Sequence, residues 1–265
     1  MRTNKYYVNN TMNDINNEET AYWLGFLFAD GFVDKNRNRV RLDLNVKDEY
    51  IIDEFIKFLD TNYNKKYIKI YNTVGIQLDN KLLKDNLIKY GCIPDKSHLN
   101  TFIPEEIMNN EKLFWNFLRG IFDGDGCIFK QGNNYGMFFM GTNNIIDQIH
   151  NFNNRLNEFN KYKEIKCDNC YYLRTGKYDL MKYIFNNMYS NLNLPFLKRK
   201  YDMFIDYIQD KENRIPYHIK QYQELYEKYL NLINENPKIT KKECYEKLKM
   251  SKSRFYAMLK WKRNL

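Results

Sequence analysis

Two aspartates 95 residues apart, Asp30 and Asp125, each close an apolar run with the pair Asp-Gly. The runs read Ala21-Tyr-Trp-Leu-Gly-Phe-Leu-Phe-Ala-Asp30-Gly31 and Asn116-Phe-Leu-Arg-Gly-Ile-Phe-Asp-Gly-Asp125-Gly126. A carboxylate at the C-terminal end of a helix faces the negative end of the helix dipole, and two such groups side by side also repel each other. The pair is unfavourable unless a cation sits between them. Hard oxygen donors at a solvent-open position suit Mg²⁺, which keeps several waters and is commonly held by one or two carboxylates plus phosphate oxygens. The chemistry expected is therefore metal-assisted cleavage of phosphodiesters, with Mn²⁺ as the natural substitute ion.

The elements that must position these groups follow from spacing. At helical period, Ala21, Gly25 and Ala29 share one stripe, and Asn116, Gly120 and Gly124 share the matching one. Small residues at every fourth position let two helices approach closer than the usual 8–10 Å, which would bring Asp30 and Asp125 together. After each Asp-Gly the pattern changes to strands. Arg39 to Val46 alternates a polar face (Arg39, Arg41, Asp43, Asn45) with an apolar one (Val40, Leu42, Leu44, Val46). Residues 65–72 are expected to continue as a strand with Tyr67, Lys69 and Tyr71 opposite Ile68 and Ile70, and 74–79, with Gln77, to complete the second pair. Helices are expected over 48–59 and 80–90. The second half repeats the order: strands at 127–132 (with Lys130) and 135–141, a helix at 143–156, strands at 162–167 and 171–175, and a helix at 178–189. Its alternation is weaker, and Glu164, Lys166, Tyr172 and Arg174 supply the polar face.

The two runs resemble the paired signature helices of the LAGLIDADG homing endonucleases in their single-chain, two-motif form. The resemblance covers roughly residues 18–210. Leu118 to Gly126 is the closer match, with Asp123 at the sixth position where Trp23 to Gly31 has Phe28. It implies an α+β fold of two pseudo-symmetric αββαββα halves, 18–104 and 105–212, forming a saddle along double-stranded DNA. By the same resemblance Asp30 and Asp125 are the catalytic metal ligands, and Ala29 and Gly124 complete the metal site. Basic residues in Cys92-Ile-Pro-Asp-Lys96-Ser-His-Leu and Pro195-Phe-Leu-Lys198-Arg199-Lys200-Tyr would reach the cleavage site, so Lys96 and Lys200 are the candidates to orient water or stabilise charge on the phosphate. The polar strand residues would then read base edges in the major groove, with Lys198 and Arg199 also against DNA. The implied reaction is hydrolysis of both strands of a long, non-palindromic site by one chain without dimerisation, from an intron-borne or free-standing gene. Non-cleaving regulators of the WhiA type and intron RNA maturases share the fold, which makes a DNA-binding regulator, or a host intron RNA as partner, the alternative. With Met1 at the start and no terminal splicing residues, an intein setting is not expected.

Charge separates the last quarter from the rest. The net charge is +9 with a pI near 9.0. Residues 198–265 hold 17 Lys and Arg against 9 Asp and Glu, leaving 25 against 24 before them. The strands must therefore read DNA with mixed polar groups rather than bulk charge, and the tail is a cationic appendage. Within it, 217–234 is expected as a helix stopped at Asn236-Pro237, and Thr240 to Glu243 is a capping box. Residues 240–248 and 251–260 then have helix-turn-helix size, in an all-α module at 216–265. Ser251, Lys252, Ser253, Arg254 and Tyr256 open its second helix, where base and phosphate contacts would arise.

Five cysteines in odd number, with neither secretory nor membrane-spanning segments, point to a reducing interior: the cytoplasm or nucleoid of a bacterium or phage-infected cell, or an organelle. Cys167-Asp-Asn-Cys170 has zinc-ligand spacing without a second pair, and reads as a hairpin turn instead.

Overall fold

The computed structural model describes residues 6–96, 99, 101–132, 134–164, 169–213 and 217–263. The chain divides into two compact units, residues 1–208 and 209–265. The first unit is two copies of one αββαββα pattern.

The first copy contains α1 (Glu18–Ala29), β1 (Gly31–Val33), β2 (Arg39–Asn45), α2 (Glu49–Leu59), β3 (Lys66–Ile68), β4 (Thr73–Asp79) and α3 (Lys81–Lys89). After the short α4 (Glu105–Met108), the second contains α5 (Glu111–Asp125), β5 (Cys127–Gln131), β6 (Asn134–Gly141), α6 (Asn143–Asn151), β7 (Asn160–Lys163), β8 (Tyr171–Thr175) and α7 (Tyr178–Met188). Each copy folds its strands into an antiparallel four-stranded sheet, ordered β1-β2-β4-β3 and β5-β6-β8-β7. The fold is thus α+β with the expected halves.

α1 and α5 start alike. Asn17 accepts from Thr20 N at 2.9 Å, and Asn110 accepts from Lys112 N at 3.1 Å and Leu113 N at 3.3 Å, occupying backbone donors that the first turn leaves open. The helices meet through the small-residue stripes. A methyl group added at Gly25 would stand 2.0 Å from Phe117 O, one at Gly120 2.2 Å from Tyr22 O, and one at Gly124 2.2 Å from Ala29 Cβ. The helix pair is built around large apolar side chains: Trp23, Phe26, Phe114, Phe117 and Phe122 are all fully buried, and Trp23 packs on Phe55 of α2 at 4.8 Å between centroids. Each such side chain contributes about 1.5–3 kcal/mol on leaving water, enough to hold two backbones in contact.

Three expectations need correction. The strand expected over 65–72 stops at Ile68, and Lys69–Tyr71 form a 3₁₀ turn closed by Asn72 at φ 51°. Ile70 is 90% exposed, so the apparent alternation marks no buried face; an αL residue after a single turn removes the extended backbone that alternation assumes. The helix expected at 143–156 ends at Asn151, and a 3₁₀ turn at Leu156–Glu158 follows. The strand expected at 162–167 begins earlier, at Asn160, and ends at Lys163. Lys166 and Cys167 lie outside the described residues.

The second unit holds α9 (Tyr217–Glu235), α10 (Lys241–Lys247) and α11 (Lys252–Arg263), while α8 (Lys198–Asn213) crosses the boundary between the units. The capping box forms: Thr240 N donates to Glu243 Oε2 at 2.7 Å, and Glu243 N to Thr240 Oγ1 at 3.3 Å. Cys244, Met250, Phe255 and Met258 make a small core against Tyr222, Leu225, Tyr226 and Tyr229.

Candidate functional site

Asp30 is the C-cap of α1 and Asp125 the last residue of α5. Because Gly124 packs on Ala29, the Asp30 carboxylate reaches the same junction: a methyl at Gly124 would lie 3.3 Å from Asp30 Oδ2. Asp30 keeps solvent-accessible surface, yet the crowded floor of the site and the charge of Asp125 push its carboxyl up to about 6. Desolvation raises Asp125 as well. Lys200 and Lys96 oppose both shifts, and Lys200 acts more on Asp30 while Lys96 acts more on Asp125. Each carboxylate therefore answers chiefly to the lysine from the other half's closing segment.

The two lysines do the same job at equivalent atoms. Lys96 Nζ donates to Leu27 O at 2.9 Å and to Gly31 O. Lys200 Nζ donates to Phe122 O at 2.6 Å, Asp123 O at 2.7 Å, Gly126 O at 2.6 Å and Gly124 O at 3.2 Å. Leu27 and Gly31 flank Asp30 as Phe122 and Gly126 flank Asp125. A cation on the orphan carbonyls of a helix end is the favourable partner of the dipole there, and it offsets the carboxylate placed at the same end. Burial pulls the Lys200 ammonium down to about 8. Lys200 is thus buried on the carbonyls at the end of α5, and Lys96 is half-buried on those at the end of α1.

Sequence reasoning missed what holds Lys200 in place. Asp123 is buried and accepts from Tyr22 Oη at 3.1 Å, Tyr189 Oη at 3.5 Å and Leu197 N at 2.9 Å, three residues before Lys200. Arg119 lies fully buried beside it, its guanidinium 5.1 Å from the Tyr22 ring and Nη1 donating to Asn191 O at 3.0 Å. On the other side, Arg199 pairs with buried Asp48 at 3.1 Å, and Lys198 N donates to Tyr50 Oη at 2.6 Å, tying the segment to the first half. The available signal was the sixth position of the two signatures, Asp123 in one and Phe28 in the other. Phe28 packs edge-on against Phe117 at 5.3 Å, an apolar contact at the position where Asp123 accepts hydrogen bonds.

Beside Asp125 lies a cavity of about 290 Å³ lined by Ala29, Lys96, Asp125, Gly141, Thr142 and Asn169 among others. Thr142 Oγ1 is buried there without a partner. Among the described residues no group of three or more His, Cys, Asp or Glu could hold a metal ion. The donor set is therefore two carboxylates and nearby carbonyls, of which Gly124 O already accepts from Lys200. Such a set fits a hard divalent cation that draws its remaining ligands from water and phosphate.

On the first sheet Arg39, Arg41, Asp43 and Asn45 lie on one face, as expected, with Thr73 and Gln77 across from Asn45 and Arg41. Arg39 pairs with Asp79 at 2.9 Å and Arg41 with Asp43 at 2.7 Å. Tyr67 is not on this face: it pairs with Val74, and its hydroxyl goes to Glu49 of α2. The alternation expected for 65–72 put it there; the register puts Lys66 and Ile68 there instead. Lys69 and Tyr71 sit in the exposed 3₁₀ turn. On the second sheet Tyr172 and Arg174 share the open face, whereas Lys130 pairs with buried Tyr135 and lies over its ring at 4.9 Å. In the second unit Ser251, Lys252, Ser253, Arg254 and Tyr256 are all exposed at the start of α11.

The family model described as the WhiA LAGLIDADG-like domain matches residues 19–74 and 114–192. An uncharacterized protein of Methanocaldococcus jannaschii is 32% identical over 158 residues, 56% of this chain and 58% of that one. The replication factor C small subunit of the same organism is 32% identical over 118 residues, 43% of this chain and 6% of its own length. The chain thus spans less than two thirds of either relative. Among solved structures, the meganuclease I-SmaMI bound to uncleavable DNA superposes with a TM-score of 0.51 at 12% identity, covering 77% of this chain and 93% of that one. I-AabMI bound to uncleaved DNA gives 0.51 at 11% identity, covering 75% and 92%. At these identities the likeness is one of fold. No helix among the described residues is long and apolar enough to cross a membrane.

Proposed function

We propose, from the premise that this chain belongs to the LAGLIDADG family through its WhiA LAGLIDADG-like domain, that it is a site-specific endonuclease cutting both strands of a long, non-palindromic duplex DNA. The observation that carries this reading is the meeting of Asp30 and Asp125 at the ends of α1 and α5. Each is raised by desolvation, and Asp30 also by its neighbour. Two carboxylates brought together without a cation cost stability, so their placement at the junction of the two helix ends fits a catalytic use.

Asp30 and Asp125 would hold Mg²⁺ together with phosphate oxygens, and the ion would supply Lewis-acid chemistry and a water of lowered pKa. The chain's own groups set the stage. Lys96 and Lys200 anchor the carbonyls around each carboxylate and supply positive charge beneath the phosphates. The polar face of the first sheet presents donors and acceptors to base edges, and the exposed start of α11 presents Ser251, Lys252 and Arg254 to a second stretch of duplex. With both halves on one chain, a monomer suffices.

The decisive experiment is cleavage of a randomised or genomic DNA library in Mg²⁺ by the natural chain, Asp30→Asn and Asp125→Asn. Discrete double-strand cuts, lost in both variants while binding persists, are expected. Tight specific binding without cutting in Mg²⁺ or Mn²⁺ would establish instead a non-cleaving regulator, the reading that the WhiA match favours.

A further inference from the structure

The two sheets share one topology, so their open faces can be matched position by position. Gly31 and Gly126 each follow the signature aspartate, which sets Cys127 on Phe32. Phe32 pairs with Arg41 and Cys127 with Phe138, so Phe138 takes the place of Arg41, Met140 that of Asp43, and Gly136 that of Arg39. Across the next ladder, Arg41 pairs with Gln77 and Asp43 with Gly75, while Phe138 pairs with Arg174 and Met140 with Tyr172. The charged and amide centre of the first sheet is therefore replaced, apart from Arg174, by Phe138, Met140 and Tyr172.

These side chains form one surface. Phe138 lies 5.9 Å from Tyr172, and Tyr172 stacks on Tyr162 at 5.5 Å, with Tyr162 45% exposed. Phe129 lies flat over Gly136, whose hydrogen leaves room that a methyl would lose at 2.6 Å from the ring, and the Arg174 guanidinium sits 5.0 Å above Phe129. Hydrogen-bonding groups collect at the far end of the strands. Gln131, Asn134, Asn160 and Arg174 line a cavity of about 310 Å³ there. The end that continues from Gly126 and Asp125 is apolar and aromatic.

Resting on the reading of the chain as a binder of duplex DNA, we infer that the second sheet selects a thymine-rich stretch on its side of the cut, through contact with 5-methyl groups. In the major groove thymine alone offers an apolar group, and an aromatic or aliphatic side chain is its natural partner. Against G·C the same surface covers donors and acceptors without answering them, which costs the complex affinity. Arg174 reads farther out, where a guanine edge can take its fork. The centre of the first sheet, with Arg41, Asp43, Asn45 and Gln77, reads by hydrogen bonds; the Arg41 guanidinium covers the exposed Phe32 ring at 4.9 Å, and Ile68 lies on the edge strand, so dependence on the methyl is the weaker there.

The test is selection of bound duplexes from a randomised pool by the full chain in Ca²⁺. Each half of the selected site is then remade with deoxyuridine in place of thymidine. One half is expected to be thymine-rich next to the centre and to lose about fourfold in affinity per methyl removed, the value of one buried CH₂ group. The other half should change less than twofold. Phe138→Ser should abolish the dependence on the methyl, and the deoxyuridine measurement on the unaltered chain stands whether or not that variant folds. A selected and cleaved site with neither half sensitive to deoxyuridine overturns the inference and leaves the endonuclease reading intact. Undiminished methyl dependence in a folded Phe138→Ser also overturns it. Selection of no duplex, or tighter binding to single strands, overturns both.

Discussion

Desolvation and the charge of Asp125 push the Asp30 carboxyl up to about 6, and the sign of that shift fixes two expectations. An acid with a folded pKa above its unfolded value binds more protons when folded, so between about pH 4 and 6 stability falls as pH rises. Asp30→Asn should therefore raise the melting temperature at pH 7 in EDTA. Because Asp30 keeps solvent-accessible surface, the full shift cannot be converted into stability; about 1 kcal/mol, or roughly 2–4 °C, is expected, vanishing below pH 4. A cation must displace that proton, so the Mg²⁺ concentration for half-maximal cleavage should rise about tenfold per unit below pH 6, measured by single-turnover cleavage. Lys200 supplies the other limb. Burial favours its neutral form near 8, and a folded pKa below the unfolded one means that stability is not lost as pH climbs through it. Cleavage should fall above about pH 8 while the melting temperature holds, separating a role in charge stabilisation from mere anchoring. Cleavage and melting falling together would contradict it. The meeting of both aspartates at paired helix ends was legible in the repeated Asp-Gly; the carbonyl cradle of Lys200 was not, because it is assembled from a segment 74 to 78 residues away that no local pattern ties to it.

Close approach of α1 and α5 is what turns two ordinary helix ends into a site, and it rests on Gly25 and Gly120. A methyl at either meets backbone, Phe117 O at 2.0 Å or Tyr22 O at 2.2 Å, and backbone in a packed helix cannot move aside. Gly25→Ala or Gly120→Ala should cost about 3 kcal/mol or more and abolish cleavage, read by thermal unfolding with a library digest. A variant that keeps its melting temperature within a degree would show that the helices are not in contact as described. This interface was readable because two small-residue stripes at period four face each other only if the helices pair. The strands divide differently. Arg39 to Asn45 was legible because every second residue is buried under α2 and α3, so hydrophobic pattern and register agree. Residues 65–72 misled because Ile68 and Ile70 mimic an inward face at a sheet edge where nothing covers them; the 3₁₀ turn at Lys69–Tyr71 answers to Asn72 in the left-handed region, a cause outside any alternation count. The aromatic face of the second sheet was hidden for a related reason: Phe129, Phe138 and Met140 look like core, and only the ladder with β8 shows that they share the side of Arg174.

At the scale of the whole molecule, charge and chemistry are divided between the two units. The carboxylates and both sheets lie in residues 1–208, which carry their own large core, whereas residues 214–265 hold 13 Lys and Arg against 5 Asp and Glu. Among its described residues the second unit has a small core of Cys244, Met250, Phe255 and Met258, and it shows Lys252 and Arg254 beside Ser251 at the start of α11, a surface suited to phosphates. Each phosphate that such cations neutralise adds about 0.9 to the steepness of log affinity against log salt. A chain ending at Asn213 keeps the whole of α8, and with it Lys200 and the packing of Phe204 and Tyr207. It should therefore still cut at the same position, but bind its site about ten- to a hundredfold more weakly near 150 mM salt, with a salt slope shallower by about 2 to 4. Lys252→Ala with Arg254→Ala in the full chain should give about half of that slope change with cleavage chemistry intact. Binding and slope unchanged by truncation would mean that the basic unit does not touch the duplex, and an altered cleavage position would mean that it, rather than the two sheets, sets the register on DNA.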